Sequence, residues 1–394
     1  MLSARLSVAI LALACTGVAA APAAASLDGA PTVVAAGLNT PWDVVPLSDG
    51  RTLVTERPGR IRVIGSDGAL RPAPAYSDPT ARKFLGLEPH PDHARNGLLY
   101  LYVSRPSGSS VVRLKDTGTE LVLDRVVFPG PIATDASHDG GRMRFGPDGK
   151  LYVTTGDIHD PDLPQDRQSL NGKILRLNDD GSAPLDNPFV GEGGNASFVW
   201  STGHRHPQGL AWDERGRLWQ TEHGPSGEQY DPVKYPGGAG RCCRDELNLI
   251  VRGGNYGWPV ISGGDTRPGL IAPVAQSGTS VAWAPGGLAF AGDGKLYAPM
   301  LRDVHLRQFT LDAGDGVASQ QALYRGTFGR LRAASYDPCR TALWFTADGA
   351  SAAVHRVAVG LEGRPAAGCG GAAAPMAPRS PSPAAAPGAA APGV

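Results

Sequence analysis

Short apolar runs alternate with glycine-containing turns along the chain, and this pattern recurs about six times. Each copy has a turn, a strand of the type Leu-Tyr/Trp-x-x-Thr, a loop, and a second strand that ends near Ile/Leu-x-Arg. The first strand of each copy begins with a leucine: Leu53, Leu99, Leu151, Leu218, Leu296 and Leu343. Apolar runs of this length between turn residues are typical of β-strands, so the sequence predicts a repeated β unit.

The spacing of these leucines predicts the architecture. Successive leucines are separated by 46, 52, 67, 78 and 47 residues, which matches a propeller blade of about 40 to 50 residues with insertions in the third and fourth copies. A β-sandwich would not explain six equivalent copies. We therefore predict an all-β fold, a six-bladed β-propeller, with four short antiparallel strands in each blade. Insertions in repeat folds often lie on the binding face, so chemistry is expected within residues 157–258.

The two ends of the chain differ from the repeats. Residues 1–26 contain one arginine, a short apolar stretch and then small residues, a pattern typical of a secretory signal peptide. Lipid attachment at Cys15 is the less favoured alternative. Residues 370–394 form an Ala/Pro-rich tract that is expected to be disordered, which leaves 27–369 as the propeller domain. The sequence predicts a secreted, extracellular or periplasmic protein without a membrane span.

Composition narrows the classes of partner. The 394 residues include 53 Gly and 35 Pro, which argues against a long helical bundle. Lys+Arg and Asp+Glu both number 37, so there is no electrostatic reason to expect nucleic acid or an anionic membrane as a partner. Any charge that serves a specific function must therefore be concentrated in one part of the protein.

Four cysteines follow the predicted signal peptide, an even number that is compatible with disulfides in an oxidising compartment. Cys339 and Cys369 flank the last predicted folded unit, so a bridge between them is favoured. The adjacent Cys242 and Cys243 could pair with each other. No CxxC spacing is present, so zinc is not expected.

The first candidate for chemistry is a histidine and an aspartate that lie 19 residues apart. His138 precedes a Gly-rich turn and Asp157 follows the next strand, so a hairpin can return both to the same end of a blade. A carboxylate that holds a histidine fixes its tautomer and makes it a competent general base. The alternative interpretation is a loop histidine and an unrelated turn aspartate.

The second candidate is a group of polar residues around the first strand pair of the fourth repeat. These residues, which indicate a lined pocket, are His204, Arg205, His206 and Gln208 before one strand and Glu222, His223, Gly224 and Pro225 after it. Three histidines suggest zinc, but a zinc site is not favoured here. Backbone carbonyls of the Gly224-Pro225 turn are better suited to Ca²⁺, although the pattern alone does not require a metal.

The third candidate is a cluster of arginines late in the chain. Arg302 follows a strand, and Arg330 and Arg332 are two residues apart, so that both can face one side of an extended segment. Two guanidinium groups on one face can hold a carboxylate-bearing anion. A solvated strand edge is the alternative.

Together these segments resemble the soluble PQQ-dependent sugar dehydrogenases, the glucose/sorbosone and aldose dehydrogenase family. The resemblance runs in order over residues 37–357. Its motifs are GLNTPWDV with TERPGRI (37–61), FLGLEPHPD (84–92), HDGGRMRFGPDGKLYVTTGD (138–157), LNGKILRLN (170–178), GHRHPQGLAW (203–212), EHGP (222–225), DELNLIVRGGNYGWP (245–259), MLRD (300–303) and GRLRAA (329–334).

The resemblance implies a six-bladed propeller and a role for each candidate residue. His138 is implied to be the catalytic base, oriented by Asp157, with Arg205 beside the reactive quinone carbonyl. Further implied roles are cofactor binding by Arg205, His206, Arg302, Arg330 and Arg332, and Ca²⁺ binding by the carbonyls of Gly224 and Pro225. The implied cofactors are PQQ and Ca²⁺. The implied reaction is hydride transfer from C1 of an aldose to PQQ, which gives a lactone and passes electrons to an unidentified acceptor; the protein is expected to be a monomer or homodimer.

Three positions depart from the pattern of the family. Ala81-Arg82-Lys83 replaces the usual Glu-Gly-Gly or Gln-Asn-Gly, Asp139 stands where Asn or Gln is common, and His206 replaces an Asn. Asp139 adds a negative charge near a site that accepts a hydride, and a contact at 81–83 is expected to be changed. The alternative functions are a non-catalytic propeller that serves as a binding module and, less favoured, a Ca²⁺-dependent propeller lactonase.

Overall fold

The apolar repeats form small antiparallel sheets. The computed structural model describes residues 27–291 and 293–360, and within them six four-stranded sheets are arranged as the blades of a propeller. The predicted signal peptide, the Ala/Pro-rich tract, Cys15 and Cys369 lie outside the described residues. No helix within the described part of the chain is long and apolar enough to cross a membrane.

The strands fill the blades in chain order, except for the first. β1 (Leu27–Leu38) is the outer strand of the last blade. Blade one contains β2 (Pro41–Pro46), β3 (Thr52–Glu56), β4 (Arg60–Ile64) and β5 (Tyr76–Ser77). Blade two contains β6 (Lys83–Pro89), β7 (Leu98–Arg105), β8 (Gly108–Asp116) and β9 (Leu121–Ile132), with the helix α1 (His93–Asn96) between β6 and β7.

The remaining blades follow the same order. Blade three contains β10 (Gly140–Phe145), β11 (Leu151–Thr155), β12 (Lys173–Leu177) and β13 (Val199–Ser201). Blade four contains β14 (His206–Trp212), β15 (Leu218–His223), β16 (Glu246–Ile250) and β17 (Ala275–Gln276). Blade five contains β18 (Ala289–Phe290), β19 (Lys295–Pro299), β20 (Leu306–Leu311) and β21 (Val317–Leu323). Blade six contains β22 (Leu331–Asp337), β23 (Ala342–Ala347), β24 (Ala352–Val359) and β1.

The two ends of the described chain close the ring. β1 pairs antiparallel with β24, with Leu27 opposite Val359 and Leu38 opposite Ala352. The first strands of neighbouring blades, from β2 to β22, contact one another in sequence around the ring, and β22 contacts β2. Residues at the starts of these inner strands are thereby brought together near the centre of the ring.

The hydrophobic core is divided among the blade interfaces. Six clusters of buried apolar side chains are present in the described residues; five join two neighbouring blades, and one extends over blades one to three. The six repeat leucines all lie in the second strand of a blade and are at most 2% exposed. Because neighbouring blades cover both faces of a blade, strands such as β7 have continuous apolar sequences. The predicted six-bladed propeller is confirmed.

The insertions predicted for the third and fourth repeats lie around strands β11 to β16. Three short 3₁₀ helices, Leu163–Gln165, Val190–Glu192 and Gly194–Phe198, occupy the insertion in blade three. The segment between β15 and β16 in blade four contains a disulfide between Cys242 and Cys243. The adjacent pairing considered from the sequence is therefore present.

Candidate active site

A cavity of about 360 Å³ lies where the inner strands meet, and residues from all six blades contribute to its wall. Its volume falls in the range of small-molecule sites, about 300 to 1,000 Å³. The residues contributed by the inner strands or the loops that precede them include Trp42, Leu85, His138, His206, Ala284 and Arg332. The wall combines apolar surface with several cationic side chains.

His138 and Asp157 meet at this wall. His138 lies in the loop between β9 and β10 with a left-handed φ of 54°, and Asp157 follows β11. The two side chains are joined by a hydrogen bond of 2.7 Å between Nδ1 and Oδ1. Gly156 permits this approach, because a Cβ atom there would lie 1.8 Å from the carbonyl oxygen of His138. The hairpin return that the 19-residue spacing suggested is what joins them.

Asp157 is fully buried and accepts further hydrogen bonds. Trp258 Nε1 donates to Oδ2 at 2.9 Å, and the backbone N–H of His159 donates to Oδ1 at 3.1 Å. Three donors therefore fix the carboxylate, and the carboxylate fixes the Nδ1 side of the His138 ring. Nε2 of His138 is left as the ring nitrogen available to a molecule in the cavity.

The protonation of His138 suits a base. Burial lowers the pKa of His138 and outweighs the hydrogen bond to Asp157, which raises it. The imidazole is therefore neutral near pH 7 and can accept a proton. Asp157 would then lie beside the imidazolium that forms and would stabilise it.

Three more histidines form a cluster with His138, and two of them contact its ring. The His159 ring stacks on it at a centroid distance of 3.7 Å, and the His206 ring stacks at 4.6 Å. His223 meets His206 edge to face at 4.9 Å. Burial, followed by nearby positive charge, holds the pKa values of His206 and His223 well below the usual value. These rings are therefore neutral, and Nδ1 of His206 is a buried atom without a hydrogen-bond partner among the described residues.

The Gly224-Pro225 turn follows β15 and lies on the same wall as the disulfide of Cys242 and Cys243. A Cβ atom at Gly224 would lie 2.0 Å from the carbonyl oxygen of Cys243, so only glycine allows the two backbones to pack this closely. Asp245 Oδ1 accepts the backbone N–H of Gly224 at 2.9 Å and holds the turn in place. The turn is thus a fixed piece of backbone at the cavity wall.

The predicted arginine cluster is present on blades five and six. Arg302, Arg330 and Arg332 all line the cavity, and the first two are exposed. Asp348 contacts the other two, at 3.3 Å from Nε of Arg330 and 3.2 Å from Nε of Arg332. One carboxylate is therefore shared by two guanidinium groups, which leaves this part of the wall positively charged.

Arg205 occupies a different position. Its side chain is almost fully buried and lines a small separate cavity that shares His223, Gly224 and Pro225 with the large one. Its guanidinium binds the Glu228 carboxylate and lies 5.4 Å from the centre of the Trp258 ring. Arg205 therefore contacts the wall from behind rather than lining the large cavity.

His204 is part of the packing and not of the wall. Its Nδ1 is 2.9 Å from Glu222 Oε2 and its Nε2 is 2.9 Å from Ser201 Oγ. His204 and His206 thus face different surroundings, because β14 begins only at His206 and His204 lies before it. Among the residues from 27 to 360 that the structure describes, no group of three or more His, Cys, Asp or Glu side chains is placed to hold a metal.

Sequence reasoning did not single out His159 or Asp348. His159 lies two residues after Asp157 in the Gly-Asp-Ile-His-Asp segment, which is a local signal that it shares the turn. Asp348 follows β23 much as Asp157 follows β11. Comparison of equivalent positions between repeats could therefore have identified it.

Comparisons with known proteins agree with this geometry. The family model described as Glucose / Sorbosone dehydrogenase matches residues 38–356. Quinoprotein glucose dehydrogenase B of Acinetobacter calcoaceticus is 30% identical over 335 residues, covering 72% of this chain and 66% of that protein. Aldose sugar dehydrogenase YliI of Escherichia coli is 32% identical over 271 residues, covering 65% of this chain and 68% of that protein.

A solved structure, the PQQ-bound form of aldose sugar dehydrogenase from Streptomyces coelicolor, superposes with a TM-score of 0.74 at 33% identity. It covers 86% of this chain and 100% of that structure. The similarity thus extends over nearly the whole described ring.

Proposed function

The chain belongs to the glucose/sorbosone dehydrogenase family, and on that premise we propose that it is a PQQ- and Ca²⁺-dependent dehydrogenase that oxidises aldose sugars at C1. The observation that carries this proposal is the arrangement of one cavity. A neutral histidine held by a buried carboxylate faces it from blade three, and the arginine cluster faces it from blades five and six.

The residues present fit PQQ. PQQ is a tricarboxylate quinone, and Arg302, Arg330 and Arg332 offer it guanidinium groups on one side of the cavity. The unpartnered Nδ1 of His206 offers a further polar contact on the same wall. Arg205 would act from behind the Gly224-Pro225 turn and would add positive charge to that side.

The residues also fit a calcium ion on the Gly224-Pro225 turn. Ca²⁺ prefers oxygen ligands, and backbone carbonyls are among those it takes. Gly224 and Pro225 line the cavity close to the disulfide, and their backbone carbonyls are the ligands that the chain would offer to the ion.

The chemistry of the reaction divides between the cofactor and the chain. When bound, PQQ supplies the two-electron oxidant. Nε2 of His138 takes the proton from the C1 hydroxyl of the sugar, and Asp157 stabilises the resulting imidazolium. The stacked His159 and His206 rings limit the access of water to that imidazole. Loss of one hydride and one proton from a cyclic aldose gives the lactone.

The test is dye-linked aldose oxidation by the purified apoprotein, with and without added PQQ and Ca²⁺. Activity that requires both additions supports the proposal. The His138→Ala variant should retain PQQ binding and lose turnover, whereas His90→Ala, at a histidine outside the cavity, should keep both. Absence of activity across a sugar panel, together with no PQQ retained after gel filtration, would favour a non-catalytic binding module instead.

We further propose, from the sequence, that residues 1–26 direct secretion and are removed. Mass spectrometry of the exported protein should show a mature chain that begins near residue 27. A product that retains residues 1–26 would contradict the proposed signal peptide. Mature chains that carry a lipid at Cys15 would support the alternative.

A further inference from the structure

Two residues that depart from the family pattern contact each other. Lys83 is the first residue of β6, and Asp139 immediately precedes β10, 56 residues later. The distance between Lys83 Nζ and Asp139 Oδ2 is 2.6 Å, and the side chains are 15% and 2% exposed. The negative charge that Asp139 adds beside His138 is therefore compensated by the ammonium group of Lys83, which comes from the neighbouring blade.

The hydrogen-bonding capacity of Lys83 is used within the protein. An ammonium group has three donors. Besides Asp139, Nζ is bound by the carbonyl oxygens of Ala136 at 2.8 Å and Asp135 at 3.2 Å. All three acceptors belong to the segment 135–139. Although Lys83 lines the cavity, it has no donor left for a sugar hydroxyl.

Asp139 is turned toward the same segment. Its Oδ1 accepts the Thr134 hydroxyl at 2.8 Å and the backbone N–H of Asp135 at 3.1 Å. Its backbone carbonyl accepts the Tyr102 hydroxyl at 3.3 Å. Both carboxylate oxygens are thus occupied by contacts that fold the loop onto blade two.

The segment held in this way carries His138, whose left-handed backbone must be kept in place by its surroundings. We propose that Lys83 and Asp139 are positioning residues, which fix the loop 134–139 and thereby aim His138 at the substrate. This inference rests on the proposed function. Charge-assisted bonds of this kind are about twice as strong as neutral ones, and a base misplaced by about 1 Å can cost about 100-fold in rate.

The experiment compares Lys83→Met, Asp139→Asn and the double variant with the wild type, all loaded with PQQ and Ca²⁺. In each single variant kcat should fall at least about tenfold, while KM for the sugar stays within about threefold. Because the two residues act as one unit, the double variant should be no slower than the slower single variant. The isosteric Asp139→Asn variant keeps the test valid if Lys83→Met folds poorly.

Two readouts do not depend on activity. Titration of the apoproteins with PQQ should give affinities close to the wild-type value, because neither residue contacts the arginine cluster. Amide hydrogen exchange in residues 134–139 should become faster in both single variants. Arg105→Met is the matched control, since Arg105 lies in the same blade as Lys83 and forms a 2.6 Å ion pair with Asp78 of the preceding blade; it should change neither kcat nor exchange in this segment.

Several results would overturn the proposal. A higher KM at unchanged kcat in Lys83→Met would make Lys83 a substrate contact. Turnover within twofold of wild type in both single variants would show that the pair does not position the base. If the wild type oxidises no sugar, the proposed function fails, and unchanged exchange in 134–139 would then separately overturn the role of the pair in ordering the loop.

Discussion

Replacing Asp157 with asparagine changes a buried carboxylate that accepts three hydrogen bonds into an amide of the same shape. In the native protein, Oδ1 faces Nδ1 of His138 and the backbone N–H of His159, and Oδ2 faces Nε1 of Trp258. Because every neighbour of the carboxylate can donate, the amide must place its NH₂ group against a donor in either orientation. If the NH₂ group faces His138, the ring must carry its proton on Nε2, the nitrogen that has to accept the substrate proton.

The magnitude follows from the lost charge. In the wild type, the imidazolium of His138 and the carboxylate of Asp157 would be separated by about 4 Å between charge centres, which corresponds to about 4 kcal/mol at an effective dielectric constant of about 20. Each ~1.4 kcal/mol changes a rate tenfold. We therefore expect kcat of Asp157→Asn to be about 1,000-fold lower.

The assay is steady-state oxidation of an aldose with a dye acceptor at saturating PQQ and Ca²⁺, accompanied by a PQQ titration of the apoprotein. PQQ affinity should change little, since the Asp157 side chain contacts none of Arg302, Arg330 and Arg332. Asp160→Asn is the matched control, because Asp160 is exposed in the same turn and accepts only a local backbone N–H, from Asp162 at 3.0 Å. A kcat for Asp157→Asn within tenfold of wild type would refute the assignment of Asp157 as the partner of a catalytic base.

The remaining predictions concern charge and protonation. The double variant Arg330→Gln/Arg332→Gln should weaken PQQ binding at least about 100-fold in a fluorescence titration, since two charge-assisted contacts of about 1.5 to 3 kcal/mol are lost and Asp348 remains as an uncompensated negative charge; an unchanged affinity would remove the cluster from the cofactor site. Burial places the pKa of His138 below its usual value near 6.5, so kcat/KM should fall only below pH 6.5 as the imidazole becomes protonated, and an acid limb centred above pH 6.5 would contradict this. Burial and a neighbouring carboxylate raise the pKa of Glu246 to about 8. The unfolded chain releases this proton near pH 4.5, so the free energy of unfolding falls progressively as the pH rises from about 4.5 to 8. Glu246→Gln should therefore raise Tm, relative to wild type, more at pH 8 than at pH 5, and an equal shift at both pH values would argue against a buried neutral carboxyl.

The architecture was predictable because one strand of each repeat keeps the same local environment. The leucines from Leu53 to Leu343 each lie between two blades, so the requirement for an apolar side chain recurs at every copy. The outer strands were not predictable in the same way. β5 and β17 have two residues each, which is too short for an alternating pattern, and the pairing of β1 with β24 depends on an alignment of chain ends that no local signal encodes.

The site was predictable where chemistry restricts the residue type. His138, Asp157 and the pair Arg330 and Arg332 can be located by motif. The structure brings His138 and the two arginines to one cavity, with Asp157 bound to His138. Contacts between blades could not be predicted from local patterns. Lys83 and Asp139 are separately unusual in the sequence, and their compensation becomes visible only when blades two and three are side by side. The burial of Arg205 against Glu228 likewise depends on how the long insertion of blade four folds back.

The closure of the ring by β1 has a consequence for the order in which the protein can be completed. β1 is the first described strand to leave the ribosome, yet its partner β24 is among the last, with Leu27 opposite Val359. Until β24 is made, β1 presents an unpaired strand edge, the kind of surface that pairs with other chains. Blades one to five can form from contacts close in sequence, whereas the sixth requires the two ends to find each other. Chains that end between residues 324 and 351 would therefore carry five complete blades and an open seam, a form suited to capture by chaperones or by a second incomplete chain.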